Sequence, residues 1–431
     1  MLKKIFQILE YEILRKLNKL KKIDYFLNQN SLKKTINFYK NILSLAFDDK
    51  QTEVIFIKNN EKKDLKVSVI TSVFNRREYI KELALSIQNQ TFSKYIEWVV
   101  VDDNSTDGSL ETLLELAKNL DIGNVVILRN KKNLGVGYSL KVAVENSSCD
   151  ILAFCESDDF YISANKIEND YNILKNDNKG IVFSKYILRG PNSNNIVSKI
   201  SIDNIVKNNT FYGNSFSNID ELFRSSLKIF IATFFSNFLN ASSVVLNKNL
   251  YYLAGGFDPY IYNLDQDWDL FSRILIFNVN VYFSSTTVFY RLHSNQLTNR
   301  KDLITISLGY SLSRIRIIEF LFFINFKNLG LVIEDLIKSI EYINNKLPKN
   351  KFMYLFVEIF KNYKLSYRFG TFFYFFVYLL NKVGKLEYLE DRKLINFVKS
   401  DIFKEIIELS NLFSKTPAFS IFKENFQSTI K

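Results

Sequence analysis

Histidine is almost missing from this chain: His293 is the single one in 431 residues. Cysteine occurs twice and proline four times. One histidine and two cysteines cannot complete a four-ligand structural zinc site, and they do not form the disulfide framework of a small secreted domain. Cys149 and Cys155 lie in the apolar run SCDILAFC and read as small core residues in a reducing compartment. So few prolines exclude a Pro-rich linker. No run of about 20 apolar residues occurs, so no transmembrane helix is predicted. The opening stretch MLKKIFQILEYEILRKLNKL interrupts its apolar residues with charges and has no small-residue cleavage site, so it is not read as a signal peptide. A G-x-G-x-x-G turn after the first strand and a Walker-type lysine loop are also lacking. Neither a nicotinamide dinucleotide site nor a P-loop is supported.

What is present describes a globular protein. Hydrophobic residues make up 47% and charged residues 24%, with 40 Phe and 24 Tyr. A net charge of +12 can mean a nucleic-acid partner or an anionic membrane surface, but the plainer reading of the average is a chain rich in Lys, Asn, Ile and Phe, with membrane contact expected of particular segments. No aromatic stretch is interleaved with base-reading arginines, so no nucleic-acid partner is expected.

Three regions follow from periodicity. Residues 1–65 carry apolar positions at helical spacing (Ile5, Ile8, Leu9, Ile13, Leu17, Leu20) with lysines opposite, an amphipathic helical region ending in a short strand, TEVIFI. Residues 66–298 alternate strands (KVSVITSVF, IEWVVVDD, NVVILRN, DILAFCESDD, GIVFSKYIL, ASSVVLNK) with helices (REYIKELALSIQNQ, DGSLETLLELAKNL, GYSLKVAVEN, YISANKIENDYNILKN, QDWDLFSRILIF). That alternation predicts an α/β domain with a mostly parallel sheet flanked by helices. Residues 190–240 read as long loops with short helices. Residues 299–431 read as helical, and TFFYFFVYLL is a core helix or an interfacial anchor.

Ligands of an open parallel sheet bind beyond the carboxyl ends of its strands. The residues there are Ser72-Val73-Phe74-Asn75, Asp102-Asp103-Asn104-Ser105 and Glu156-Ser157-Asp158-Asp159. Acids gathered on one edge repel unless a cation lies among them, which suggests a hard divalent metal, Mn²⁺ or Mg²⁺. With no phosphate-cradling glycine loop, the expected ligand is a nucleotide diphosphate held through that metal. Helix capping is the plainer reading of DDNSTDG.

The segments VSVITSVFNRREYIKELALSIQNQTF, VVVDDNSTDGS, NLGVG and CESDDF resemble family 2 of the inverting glycosyltransferases, which have the GT-A (Rossmann-like) fold. The resemblance runs over roughly residues 66–297. It implies that Ser72, Phe74 and Asp103, with Asn75 beside them, grip the base of a nucleotide-sugar. It also implies that Asp158 lies near the ribose and Asp159 binds the metal. Gly255 and Gly256 resemble the acceptor-side glycine loop, and Asp267 in DQDWDL takes the catalytic-base position. Tyr290-Arg291-Leu292-His293 resembles a returning Y-R-x-H segment. It implies that His293 joins Asp159 at the ion or contacts the diphosphate, with Arg291 a phosphate partner or a salt-bridge residue.

Helical spacing supports the choice of base. Trp268, Phe271 and Leu275 should face the core, which turns Asp267 elsewhere at a helix N-terminus where the dipole keeps a carboxylate ionised. Two positions depart from the family pattern. Gln266 replaces the acid before the base, which affects acceptor contacts. Leu140-Lys141 replaces Arg-Asn after NLGVG, with Lys141 a substitute positive charge near the donor phosphates.

The expected activity is transfer of a sugar from a nucleotide-sugar, UDP-linked, to a hydroxyl of a growing surface glycan (capsule, lipooligosaccharide or O-antigen). The acceptor would be a glycan or lipid-linked glycan, and the location cytoplasmic, on the inner face of the cytoplasmic membrane. The terminal helical regions would contact an anionic membrane, pack on the catalytic domain or form a homodimer. The competing readings are a non-catalytic sugar-nucleotide binder or scaffold, and a nucleotidyltransferase, which would want glycines that SVFNRREYI lacks.

Overall fold

The computed structural model describes residues 28–59, 64–189, 198–200, 226, 229–230, 239–261, 265–293, 296, 303–323 and 396–430. The helix expected over Ile5–Leu20, the segment TFFYFFVYLL and most of the loops expected over 190–240 lie outside these residues. The chain divides into two compact units, one over Ala46–Asn208, Asn218–Asn299 and Pro417–Lys431, the other over Met1–Leu45, Asn209–Ser217 and Arg300–Thr416.

The larger unit is built on one sheet. Its strands are β1 (Thr52–Asn59), β2 (Val67–Val73), β3 (Ile96–Asp102), β4 (Asn124–Asn130), β5 (Ile151–Phe154), β6 (Phe160–Tyr161), β7 (Gly180–Arg189), β8 (Ser198–Ile200), β9 (Val244–Asn247) and β10 (Asn280–Arg291). Their order is β1-β4-β3-β2-β5-β9-β7-β10-β6, with β8 on β7. β4, β3, β2 and β5 run parallel to one another, and β10 runs parallel to β7. β9 is inserted antiparallel between β5 and β7. This is the mixed α/β sheet flanked by helices that the GT-A resemblance implies. The reversed direction of β9 was not legible in ASSVVLNK, because an apolar run specifies burial and not polarity.

Every residue of β2 and β3 is buried. Helices cover the parallel sheet on both sides, so even Ser68, Thr71 and Glu97 of these strands are buried. α2 (Arg77–Gln88) and α3 (Ser109–Asn119) bring Ile80, Leu83, Ala84, Leu110, Leu113 and Ala117 onto Val67, Val69, Trp98 and Val100. α4 (Val136–Glu145) also packs on β2 and β3. α5 (Lys166–Leu174), α6 (Lys248–Leu253) and α7 (Gln266–Leu275) follow, and α10 (Pro417–Ile430) packs on α6. β2 has β3 on one side and β5 on the other, so successive connections leave it in opposite directions. The crevice this opens lies beyond the carboxyl ends of β2, β3 and β5.

The smaller unit contains α1 (Gln29–Leu43), α8 (Leu303–Phe323) and α9 (Asp401–Phe413). α1 buries Leu32, Ile36, Tyr39 and Ile42. Gly309 permits the closest approach: a Cβ there would lie 2.1 Å from Tyr39 Oη, which donates to Thr305 O at 2.9 Å. Arg316 is fully buried and donates to Phe413 O (3.2 Å) and Thr416 Oγ1 (3.1 Å), closing the end of α9. Among the described residues no helix is long and apolar enough to cross a membrane.

Candidate active site

Three loops meet at the crevice. The loop after β2 is stitched to the loop after β3: Asn75 N donates to Ser105 Oγ (3.0 Å) and Thr106 N to Asn75 Oδ1 (2.9 Å). Arg76 N donates to Ser109 Oγ (2.9 Å) and Arg77 N to Asp107 Oδ2 (3.1 Å). Asn75 and Asn104 take left-handed backbone conformations, φ 54° and 62°, where asparagine is tolerated better than most residues. Ser72 is buried, whereas Phe74 is 43% exposed and free to offer a ring face.

Asp103 is buried, with both oxygens on protein donors. Oδ1 accepts from Asn130 Nδ2 (2.7 Å) and Leu134 N (2.8 Å), and Oδ2 accepts from Gly135 N (2.8 Å). It therefore holds the NLGVG turn to the sheet. Asp102, which sequence reading did not single out, is also buried. Its Oδ2 accepts from Ser105 N (3.1 Å), while Oδ1 has no hydrogen-bond partner among the described residues. Burial raises the carboxyls of both. Leu140 is core, 2% exposed, so an apolar residue suits that position. The Lys141 ammonium pairs with Glu145 one turn along α4, at 2.5 Å.

The turn after β5 separates its acids. Asp159 points under the turn: Oδ2 accepts from Ser242 Oγ (2.6 Å) and Oδ1 from Arg291 N (3.1 Å), and the residue is 2% exposed. Asp158 stands beside His293, with Oδ2 2.9 Å from Nε2, and Arg76 Nε lies 3.4 Å from the same oxygen. Burial would raise the Asp158 carboxyl, but the His293 hydrogen bond and the Arg76 charge hold it below its ordinary value. Glu156 is only partly exposed and densely enclosed. Burial first, then the charges of Asp158, Asp267 and Asp159, push its carboxyl far up. The sheet edge thus gathers mutually repelling acids at the crevice. Among the described residues no three His, Cys, Asp or Glu side chains are arranged to hold an ion.

Arg291 bridges the acidic turn and α2. Its Nε donates to Asp158 O (3.0 Å) and its guanidinium pairs with Glu82 of α2. It lies over the rings of Tyr79 (4.7 Å), Phe289 (5.3 Å) and Phe160 (5.8 Å). The Tyr79 ring also lies 5.0 Å from the His293 ring, tilted by 46°. The Arg291 guanidinium thus makes a salt bridge with Glu82. The lone histidine is fixed by Tyr79 and Asp158, residues about 210 and 135 positions upstream.

α7 carries the remaining acid. Trp268, Phe271 and Leu275 are all buried, as their spacing predicts, and the Asp267 carboxyl is partly exposed. Burial pushes Asp267 up to about 6, and the hydrogen bond from Trp268 N only partly offsets this. Desolvation is the largest influence on it, and at about 6 the carboxyl is still ionised at neutral pH. Gln266 is buried with no hydrogen-bond partner for Oε1 among the described residues. The Gly255-Gly256 turn has φ 80° and 73°. Arg273 of α7 donates to Gly256 O (2.8 Å) and Ala254 O, while paired with Asp269 at 2.7 Å; both side chains are fully buried. A Cβ at Gly255 would lie 2.0 Å from Ala418 O of α10.

Residues 68–242 match the family described as glycosyl transferase family 2. A poly(ribitol-phosphate) beta-glucosyltransferase of Bacillus spizizenii is 32% identical over 134 residues, which is 31% of this chain and 20% of that protein. An uncharacterized glycosyltransferase of Haemophilus influenzae is 27% identical over 239 residues, 54% of this chain and 67% of that protein. The chain spans a fifth and about a third of the first two curated relatives it matches. Among solved structures, S. aureus TarS 1-349 in complex with UDP-GlcNAc is 16% identical over 85% of this chain and 90% of that one, with a TM-score of 0.45. The span similar to that family, residues 68–242, runs from β2 to the turn before β9 and includes Asp102, Asp103, Glu156, Asp158 and Asp159.

Proposed function

We propose that the chain is an inverting glycosyltransferase that moves a sugar from a UDP-linked donor to a hydroxyl of a growing surface glycan. The observation that carries this reading is the division of labour among the acids. Asp158 is held below its ordinary value beside His293, and Asp267, on the other side of Glu156, has its carboxyl pushed up to about 6. A general base needs a carboxyl that is ionised at neutral pH yet basic enough to accept a proton, and Asp267 meets both conditions. Its carboxylate takes the proton of the acceptor hydroxyl as that oxygen attacks the anomeric carbon from the face opposite the leaving diphosphate.

The donor set fits a hard divalent cation, Mn²⁺ or Mg²⁺. Asp158 and His293 lie side by side, and burial and the charges of Asp158, Asp267 and Asp159 push the Glu156 carboxyl up. When bound, the cation would neutralise charge on the leaving diphosphate. Asp158 and His293 are the better pair for it, since both oxygens of Asp159 are on protein donors. With so few protein ligands, the donor phosphates and water would complete the shell. Phe74 offers its exposed ring to the base, and Asp103 supports that pocket by holding the turn before α4. The likeness to a poly(ribitol-phosphate) beta-glucosyltransferase favours an envelope polymer as acceptor.

Calorimetric titration with UDP tests this, with Mn²⁺ and with chelator. Metal-dependent binding lost in Asp158→Ala is expected. Binding of UDP that ignores both the metal and Asp158→Ala would leave a sugar-nucleotide binder. Absence of any nucleotide binding would make a scaffold the better reading.

A further inference from the structure

β1 ends the sheet at β4, with no strand on its other side among the described residues. Edge strands are commonly short, charged or covered, because an open one recruits another strand. β1 has eight residues, TEVIFIKN, and its apolar side chains are not hidden: Val54 is 52% exposed, Ile55 37% and Ile57 53%. A bulge between Val54 and Phe56 puts consecutive apolar residues outward, while Phe56 packs on the core. The strand is electrically balanced, with Glu53 near one end and Lys58 near the other.

The sequence is also complementary to itself. Laid antiparallel about a point between Ile55 and Phe56, β1 sets Glu53 against Lys58 and Val54 against Ile57, with the bulge at the axis. A twofold contact requires this property, because each residue must suit its mirror position on an identical surface. A strand from a different protein would impose no such relation.

We infer that β1 is an interface between two copies of this chain, pairing antiparallel with the β1 of the second copy about a twofold axis between Ile55 and Phe56. The pairing joins two sheets into one, covers Val54 and Ile57 of each copy with those of the other, and closes, so it stops at two copies. It lies at the far side of β4 from the crevice and leaves the candidate active site open.

Sedimentation of the full chain over a range of concentrations tests this. A wild-type monomer–dimer equilibrium is expected, with a dissociation constant on the order of micromolar for so small a contact. Val54→Lys and Ile57→Glu each change an exposed side chain, and each is expected to weaken dimerisation roughly tenfold or more. Val54→Lys combined with Ile57→Glu restores opposite charges across the axis and is expected to recover the dimer. Lys58 is left alone because its ammonium also holds Lys118 O (3.0 Å) and Leu120 O (2.8 Å). A wild type that stays monomeric, single variants that dimerise as well as wild type, a double variant no better than the singles, or an open-ended series of larger species would each overturn the inference. Nucleotide binding is read separately and does not bear on it.

Discussion

Asp267 sits one residue into α7, where the helix dipole lowers a carboxyl and the enclosing protein raises it. Burial is the larger effect and brings it to about 6. Two expectations follow. Transfer should rise with pH through about 6 as this single carboxyl ionises, and Asp267→Asn should lose that dependence with roughly 10²- to 10⁴-fold of kcat while keeping its UDP affinity. Stability should move the other way. A carboxyl raised in the folded state stabilises the fold fully below its unfolded value of about 4. That contribution is lost as pH rises through about 6. Asp267→Asn should therefore melt higher than wild type at pH 8, by roughly 1–3 kcal/mol, a difference that denaturant titration at pH 4 and pH 8 would resolve. Trp268, Phe271 and Leu275 made the outward direction of Asp267 readable from spacing alone. Its protonation was not readable, because desolvation is set by residues from other elements. Glu156 was visible as part of an acidic run, yet nothing local says that Asp158 and Asp267 crowd it. Ser242, which holds Asp159 under the turn, has no sequence signal at all.

At the scale of elements, α7 organises the acceptor side through Arg273. One guanidinium satisfies Asp269 and two carbonyls of the glycine turn where no water reaches. Arg273→Met would strand the Asp269 charge and both carbonyls, and should destabilise the fold by roughly 3–5 kcal/mol, read as a lowered denaturation midpoint. Gly255 answers to a different constraint. Its positive φ and the Ala418 carbonyl 2.0 Å from the Cβ position both exclude a side chain. Gly255→Ala should cost roughly 2–4 kcal/mol and make α10 the first segment released by limited proteolysis. The sequence suggested a glycine loop here but tied it to the acceptor. That the loop receives α10, some 160 residues downstream, depends on a contact no local pattern encodes.

For the whole molecule, the +12 net charge gives a test of the membrane expectation. The full chain should co-sediment with vesicles rich in anionic lipid at low salt and be released at high salt, since surface charge attraction is screened. Sedimentation with neutral vesicles alone, unaffected by salt, would point to apolar insertion and not to charge.

By itself the sequence determined the alternation of strands and helices, the burial of β2 and β3, the gathering of acids at one sheet edge and the apolar face of α7. These follow from period, length and apolar runs, which are local properties of the chain. Only the tertiary structure decided that β9 runs backwards, that Asp159 faces protein while Asp158 faces His293, and that Arg291 turns into an aromatic cage. Orientation and electrostatic environment are fixed by residues distant in sequence: His293 acquires its place from Tyr79 and Asp158, and Asp267 its carboxyl near 6 from the protein that encloses it.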